Sequence, residues 1–193
     1  MPPKFEVGLF SRSLSDDRYN GDRIYMHHDN GKLRWLHLDG LGHGEHAQAA
    51  TANLGAHLAH CDTSDALLTA IDRQLKETRG AVAIATEFNL HGRSLNILGV
   101  SDMHAHLMDQ DEMKNLSFSP GILGKEHKKT LPFRLDYSNN SLIISCSDGI
   151  RRNWEASSFN GLFQQHPQMI AYTLGNIMCR ISDDQSVCVV RTD

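Results

Sequence analysis

The chain contains 193 residues, of which 40% are hydrophobic and 22% are charged, and its formal net charge is -4. This length suits a single globular domain over residues 1–193, and the acidic balance gives no electrostatic reason to bind nucleic acid or an anionic membrane. No apolar run reaches the roughly 20 residues that a membrane span requires, and the opening MPPKFEVGLF lacks the apolar core of a secretory signal.

Short or alternating apolar runs, bounded by Gly, Asn or Asp, predict nine strands along the chain. They are KFEVGLFSR (4–12), DRIYMHH (22–28), KLRWLHLD (32–39), GAVAIATEF (80–88), SLNILGVSD (94–102), HAHLMD (104–109), LPFRLDY (131–137), SLIISCSD (141–148) and SVCVVRT (186–192). Turn sequences at 29–31, 90–93 and 138–140 predict hairpins between neighbouring strands. The sheets are therefore expected to be antiparallel.

Three segments have the character of helices. Residues 45–60 form the first, and residues 65–78 form the second, which Thr63 or Ser64 would cap. The third covers residues 167–180 and opens with Pro167 in its first turn. Strands, two helices, more strands, a helix and a last strand are typical of a layered α+β fold rather than an alternating βαβ fold.

Cysteine usage points to a reducing compartment. The four cysteines are Cys61, Cys146, Cys179 and Cys188, and no two of them form a CxxC pair. Scattered cysteines suit a reduced protein better than a disulfide framework or a zinc site. We therefore expect the protein to be cytoplasmic.

Aspartates occur at four predicted strand ends. Asp22 begins one strand and Asp39 ends the next, so a hairpin turning at 29–31 would bring them together. Asp148 ends a third strand, and Asp183 lies just before the last one. Mg²⁺ and Mn²⁺ favour carboxylate and carbonyl oxygens, and a glycine after an aspartate lets a main-chain carbonyl turn toward an ion. The pattern predicts a site for hard divalent cations.

Six segments, in this order, resemble the metal-dependent serine/threonine phosphatases of the protein phosphatase 2C superfamily, and within it the short, single-domain, RsbX-like form of the bacterial SpoIIE-like branch. They are NGD (20–22), LDGLGHG (38–44), RGAVAIATEF (79–88), PGILG (120–124), SCSDGIRRNW (145–154) and ISDDQSVCVVR (181–191). The resemblance covers essentially the whole chain. It implies an αββα sandwich, in which helices flank two central antiparallel sheets and a two-metal site lies at one end.

The resemblance also implies a ligand set for two Mn²⁺ or Mg²⁺ ions. Asp39 would bridge both ions, and the Gly40 carbonyl would bind one of them. Asp148 and Asp183 would hold the other ion. Asp22 would support the site directly or through bound water. The implied reaction is in-line attack of a metal-activated water on phosphorus, with no phosphoenzyme.

The proton donor to the leaving oxygen is less well defined. His43 is the histidine best placed in the sequence to donate that proton. In eukaryotic members a histidine directly follows the Asp-Gly pair, whereas Leu41 occupies that position here, so His43, a metal-bound water, or no acid at all stay open. Ser186 also stands where the family usually has threonine, which leaves the neighbouring carboxylates intact.

The short-form resemblance implies a role in stress signalling. Its substrates would be phosphoserine or phosphothreonine on STAS-domain proteins of a partner-switching, stressosome-type pathway, where the enzyme acts as negative feedback. We expect a monomer with no nucleic-acid or membrane partner.

Two other functions compete with this hypothesis. Cys146 and Arg152 have the C-x5-R spacing of cysteine-dependent phosphatases. Against that interpretation, Asp148 inside the loop would oppose a phosphate dianion, and Ser145 stands where that family has histidine. The other alternative is a catalytically silent binding module, which would be expected to lack one or more of the core aspartates.

Two further patterns resemble metal sites. His104 and His106 form an HxH pair, but without a companion pair they are interpreted as ordinary strand residues. The sequence DQDEM (109–113) begins like a calcium loop, yet Lys114 occupies the position where the tight turn needs glycine. We interpret that segment as a solvated loop.

Overall fold

The computed structural model describes residues 5–14, 18–110 and 112–192, so residue 4, where the first predicted strand begins, lies outside them. The strands are β1 (Phe5–Arg12), β2 (Arg23–Asp29), β3 (Lys32–Gly40), β4 (Ala81–Asn89), β5 (Ser94–Val100), β6 (His104–Asp109), β7 (Glu112–Leu116), β8 (Phe133–Asp136), β9 (Leu142–Cys146) and β10 (Gln185–Thr192). The α-helices are α1 (Glu45–Thr51), α2 (His57–His60), α3 (Ser64–Leu75) and α4 (Pro167–Ile177).

The strands form two antiparallel sheets of five strands each. Sheet A has the order β1-β10-β9-β6-β7, and sheet B has the order β2-β3-β4-β5-β8. Alternate residues of a strand point to opposite faces. In β3, Leu33 and Trp35 therefore pack between the sheets, whereas Leu36 and Leu38 pack under the helices. This row of inward-facing positions continues to His37 and Asp39.

Helices cover the outer face of each sheet. In α3, Leu68, Ile71 and Leu75 are buried against sheet B, and the Thr63 hydroxyl accepts a hydrogen bond from the Ala66 amide at 3.1 Å. Helix α4 covers sheet A through a buried stripe that includes Ile170. The result is the expected αββα sandwich. Among the described residues, none of the helices has the length and apolar character to cross a membrane.

The long helix predicted over residues 45–60 is wrong. Helix α1 ends at Thr51 because Ala52 is extended, with ψ of 147°, and Asn53 then adopts a left-handed conformation with φ of 61°. Helix α1 is followed by a 3₁₀ turn at Leu54–Ala56 and then by the four residues of α2. The apolar spacing of the segment is helical throughout, so this break is invisible to a periodicity argument.

The solvated loop predicted for DQDEM is also wrong over its described residues. Strands β6 and β7 form a hairpin, in which Asp109 at the end of β6 pairs with Glu112 at the start of β7. Gln110, in the turn between them, has a positive φ of 49°. Strand β7 lies at the edge of sheet A and is mostly exposed. An edge strand of this kind carries charged residues and lacks the apolar alternation that identifies a strand.

The turn at 138–140 does not close a hairpin, contrary to the prediction. Strand β8 pairs with β5 in sheet B, whereas β9 pairs with β6 and β10 in sheet A. The chain therefore crosses from one sheet to the other at this turn. The hairpin prediction fails because turn-forming residues fix the local reversal of the chain and not the sheet that the next strand joins.

Candidate metal centre

The β2–β3 hairpin brings the first two aspartates together, as predicted. Arg23 pairs with Leu38, so Asp22 and Asp39 stand side by side at the end of the two strands. Asp39 is held between β2 and β4, where it pairs with Val82. On the other side, the amide of the adjacent Gly40 donates a hydrogen bond to the Gly21 carbonyl at 3.2 Å, so backbone contacts on both sides fix this strand end.

A cavity of about 410 Å³ opens at this end of the sandwich. The carboxylates that line it are Asp39, Asp102, Asp148, Asp183 and, at the rim, Glu126. Both sheets contribute, since Asp39 comes from sheet B and Asp148 follows β9 of sheet A. The structure therefore brings three of the predicted ligands to one cavity.

Asp102 was assigned no role from the sequence. It lies two residues after β5 and lines the cavity with the predicted aspartates. The signal that identified the other aspartates, an acid just beyond an apolar strand, applies to Asp102 as well. Unlike the predicted aspartates, Asp102 lies in none of the six segments that carry the family resemblance.

Burial and mutual repulsion raise the pKa values of the clustered aspartates. Burial raises the pKa of Asp39 well above its usual value, and negative charge on its neighbours, Asp22 first among them, raises it further. Burial is also the main cause that raises the pKa of Asp148 and of Asp183. The ionised forms of these carboxylates are unfavourable because they repel one another, and a bound cation would neutralise that repulsion.

The donor set fits a hard divalent ion. Asp22 Oδ1 and Asp148 Oδ1 are buried oxygens without a hydrogen-bond partner, and carboxylate oxygens are the ligands that Mg²⁺ and Mn²⁺ prefer. Within the described residues, no three His, Cys, Asp or Glu side chains stand ready as a metal cage.

The glycines of the two Asp-Gly pairs serve close packing. Neither Gly40 nor Gly149 has a positive φ. A Cβ on Gly40 would lie 2.5 Å from the Ala47 carbonyl oxygen, and a Cβ on Gly149 would lie 1.9 Å from the Asp184 carbonyl oxygen. Gly40 is not among the residues that line the cavity, and its carbonyl remains a predicted ligand only.

Asp22 lies behind the cavity rather than in its lining. Its side chain is 1% exposed, and its Oδ2 accepts a hydrogen bond from the Ser186 hydroxyl at 2.6 Å. Burial raises the pKa of Asp22 to about 7, although the neighbouring hydroxyls of Ser186 and Ser147 oppose that shift. On the other side of Ser186, burial lowers the pKa of His37 to about 3, so this imidazole is neutral.

The two aspartates of the DDQS sequence differ in their contacts. Asp183 lines the cavity, whereas Asp184 is buried and accepts hydrogen bonds from two backbone amides. These come from Leu14 at 2.7 Å and Gly21 at 2.6 Å. Asp184 therefore holds the backbone of Leu14 and of Gly21, the residue next to Asp22, in place.

The predicted histidines lie in different surroundings. His43 is exposed in the turn after β3, and its positive charge opposes the rise that burial causes in the pKa of Asp183. It is therefore near the cavity, although not in its lining. His104 and His106 are buried strand residues, as expected, with ring centroids 5.2 Å apart.

The geometry disfavours the cysteine alternative. Cys146 is fully buried within β9, between β6 and β10, and burial raises the pKa of its thiol far above the usual value. Arg152 is exposed beyond the strand. A thiol in this position can neither ionise readily nor reach a phosphate group in solution.

No protein-family model matches the sequence, and no curated protein matches it either. Solved structures do match. One match comes from work on the bacterial stressosome, described as a modular system that has been adapted to control secondary messenger signalling. The two chains superpose with a TM-score of 0.89 and 24% identity, and the match covers 97% of this chain and 100% of the other. The magnesium complex of RsbX has a TM-score of 0.85 and 19% identity, covering 98% and 96%.

A third match is the phosphatase domain of SpoIIE from Bacillus subtilis, with a TM-score of 0.81 and 18% identity over 99% of this chain and 64% of that chain. The fold is therefore that of the protein phosphatase 2C superfamily, as the sequence resemblance predicts. The match to the RsbX structure extends over nearly the full length of both chains.

Proposed function

We propose that the protein is a cytoplasmic, Mn²⁺- or Mg²⁺-dependent phosphatase that acts on phosphoserine and phosphothreonine in proteins. The observation that carries this proposal is the convergence of four aspartates, from separate strand ends of both sheets, on one cavity. The similarity in fold to RsbX, SpoIIE and a serine/threonine phosphatase from Mycobacterium tuberculosis supports the same activity.

Asp39, Asp148 and Asp183 would hold the ions, with Asp22 supporting the site from behind. When bound, two divalent cations supply positive charge opposite the phosphoryl oxygens and lower the pKa of water. The half-buried position of Asp39, where it pairs with Val82 of β4 and the neighbouring Gly40 bonds to Gly21, keeps its backbone in place. Asp102 lies close enough to add negative charge to the same cluster.

His43 is the proposed proton donor to the leaving serine or threonine oxygen. Its exposed position beside Asp183 allows it to meet a bound phosphoprotein at the cavity mouth. Replacing His43 by alanine is expected to lower kcat by about 10²-fold, the low end of the usual effect of a general acid. The pH profile of kcat should lose its alkaline limb in this variant, and an unchanged rate would remove His43 from the mechanism.

The proposed physiological setting is a partner-switching stress pathway, in which the enzyme dephosphorylates STAS-domain proteins as negative feedback and acts as a monomer. The similarity to a stressosome chain, to RsbX and to a protein with RsbU and RsbW domains supports this setting.

The test is phosphate release by the purified protein in Mn²⁺ and in EDTA, with p-nitrophenyl phosphate and a phosphorylated STAS-domain protein as substrates. We expect activity on both in Mn²⁺, a preference for the STAS-domain protein over an unrelated phosphoprotein, and no activity in EDTA. Activity that survives EDTA but not thiol alkylation would transfer the chemistry to Cys146. Inactivity on both substrates would favour a silent binding module.

A further inference from the structure

A continuous chain of hydrogen bonds runs behind the cavity, from Ser145 through His37 and Ser186 to Asp22. His37 Nδ1 lies 2.9 Å from Ser145 Oγ, and His37 Nε2 lies 2.7 Å from Ser186 Oγ. The Ser186 hydroxyl then lies 2.6 Å from Asp22 Oδ2. All four side chains are at most 1% exposed, so water does not compete for these contacts. We call this set of residues the His37 relay.

The hydrogens of the relay can be assigned by counting donors. Ser186 has one hydroxyl hydrogen, which it donates to the Asp22 carboxylate. Ser186 Oγ must then accept from His37 Nε2–H, and His37 Nδ1 accepts from the Ser145 hydroxyl. Each of these contacts has one donor and one acceptor. Asp22 Oδ1 is the one carboxylate oxygen of the relay that is buried without a partner.

The relay also joins the two sheets. His37 belongs to β3 of sheet B, whereas Ser145 and Ser186 belong to β9 and β10 of sheet A. The Ser186 amide further donates to the Ser147 hydroxyl at 2.9 Å. The imidazole therefore crosses the sandwich at the end that carries the acidic cavity and fixes Ser186 relative to Asp22.

We propose that His37 and Ser186 are positioning residues, which hold Asp22 through Oδ2 and leave Oδ1 free to bind the divalent ion. This inference rests on the proposed metal-dependent function. A carboxylate that is already oriented loses less freedom when an ion binds, and removing such an outer hydrogen-bond partner typically lowers metal affinity 10–100-fold.

The test measures the Mn²⁺ dissociation constant by isothermal titration calorimetry on protein stripped with EDTA. Ser186→Ala is expected to raise the Kd about 10–100-fold, and His37→Phe about 10-fold, since Ser186 then loses its own donor. Ser186→Thr keeps the hydroxyl and is expected to keep the parental Kd.

The matched control is Thr86→Val. The Thr86 hydroxyl is buried in β4 without a hydrogen-bond partner, and Thr86 pairs with Trp35 and Ile97 rather than with a residue of the relay. Its removal should leave the Kd unchanged, which separates a general loss of a buried hydroxyl from loss of the relay. If Ser186→Ala does not fold, Ser186→Cys offers a weaker donor at the same position and carries the same expectation.

The possible results are distinct. Folded Ser186 and His37 variants that bind Mn²⁺ as tightly as the parental protein would overturn the relay and leave the metal site intact. A parental protein that does not bind Mn²⁺ would overturn the metal site and the relay together. Weakened binding in these variants, with parental affinity in Ser186→Thr and Thr86→Val, would establish the positioning role.

Discussion

Asp39→Asn is expected to lower turnover about 10²–10³-fold, because Asp39 is a proposed ligand of the ions and removing one electrostatic stabiliser of a transition state has effects of that size. The unloaded variant should nevertheless be more stable than the parental protein. Burial and neighbouring negative charges raise the pKa of Asp39 well above its usual value, so its ionised form destabilises the metal-free fold near neutral pH. Steady-state kinetics in Mn²⁺ and thermal unfolding in EDTA measure the two effects.

The matched control for this prediction is Cys146→Ser, which changes one buried side chain outside the cavity. Its activity should stay near the parental value, although burying a hydroxyl in place of a thiol will lower the melting temperature. The opposite pattern, with Cys146→Ser inactive and Asp39→Asn active, would require a thiolate mechanism.

Mn²⁺ affinity is expected to fall at least about 50-fold between pH 7 and pH 5, because an ion that displaces one proton from a group with a pKa near 7 loses about 10-fold in affinity per pH unit well below that pKa. Burial raises the pKa of Asp22 to about 7 and that of Asp39 well above its usual value. Asp22 is therefore mostly protonated at pH 6 and below in the unloaded protein, and Asp39 takes up a proton at a higher pH than an ordinary aspartate does. An ion binds the deprotonated carboxylates, so acid opposes binding.

Calorimetry at several pH values, in two buffers with different ionisation enthalpies, measures both the Kd and the number of protons released. Asp22→Asn should release fewer protons than the parental protein at pH 6. A Kd that does not change between pH 5 and pH 7 would contradict the assignment of these carboxylates as ligands.

The strand ends that carry the site were predictable because each has an aspartate just before or just after an apolar run. Asp22 and Asp39 could even be paired from the sequence, since the turn at 29–31 fixes the register of β2 and β3. Asp102 has the same kind of position and was missed because it belongs to no recognised motif. Local pattern identifies a strand end but cannot tell which strand ends meet in space.

The interior of the site was less accessible to sequence reasoning. His37 occupies an inward position in an apolar strand, and nothing in its neighbourhood indicates that Ser145 and Ser186 face it across the sandwich. Those contacts join residues more than 100 positions apart. The same reason explains the turn at 138–140, where local sequence predicts a reversal but only the packing of both sheets decides the partner strands.

The mutual repulsion of the clustered aspartates has a consequence for how such a protein can change over generations. Each ionised acid at this end of the sandwich opposes folding of the unloaded chain, so a substitution that neutralises one of them makes the bare scaffold more robust. Successive substitutions of these aspartates would thus each stabilise the metal-free fold while removing the proposed activity. Only selection for the proposed activity would oppose such substitutions.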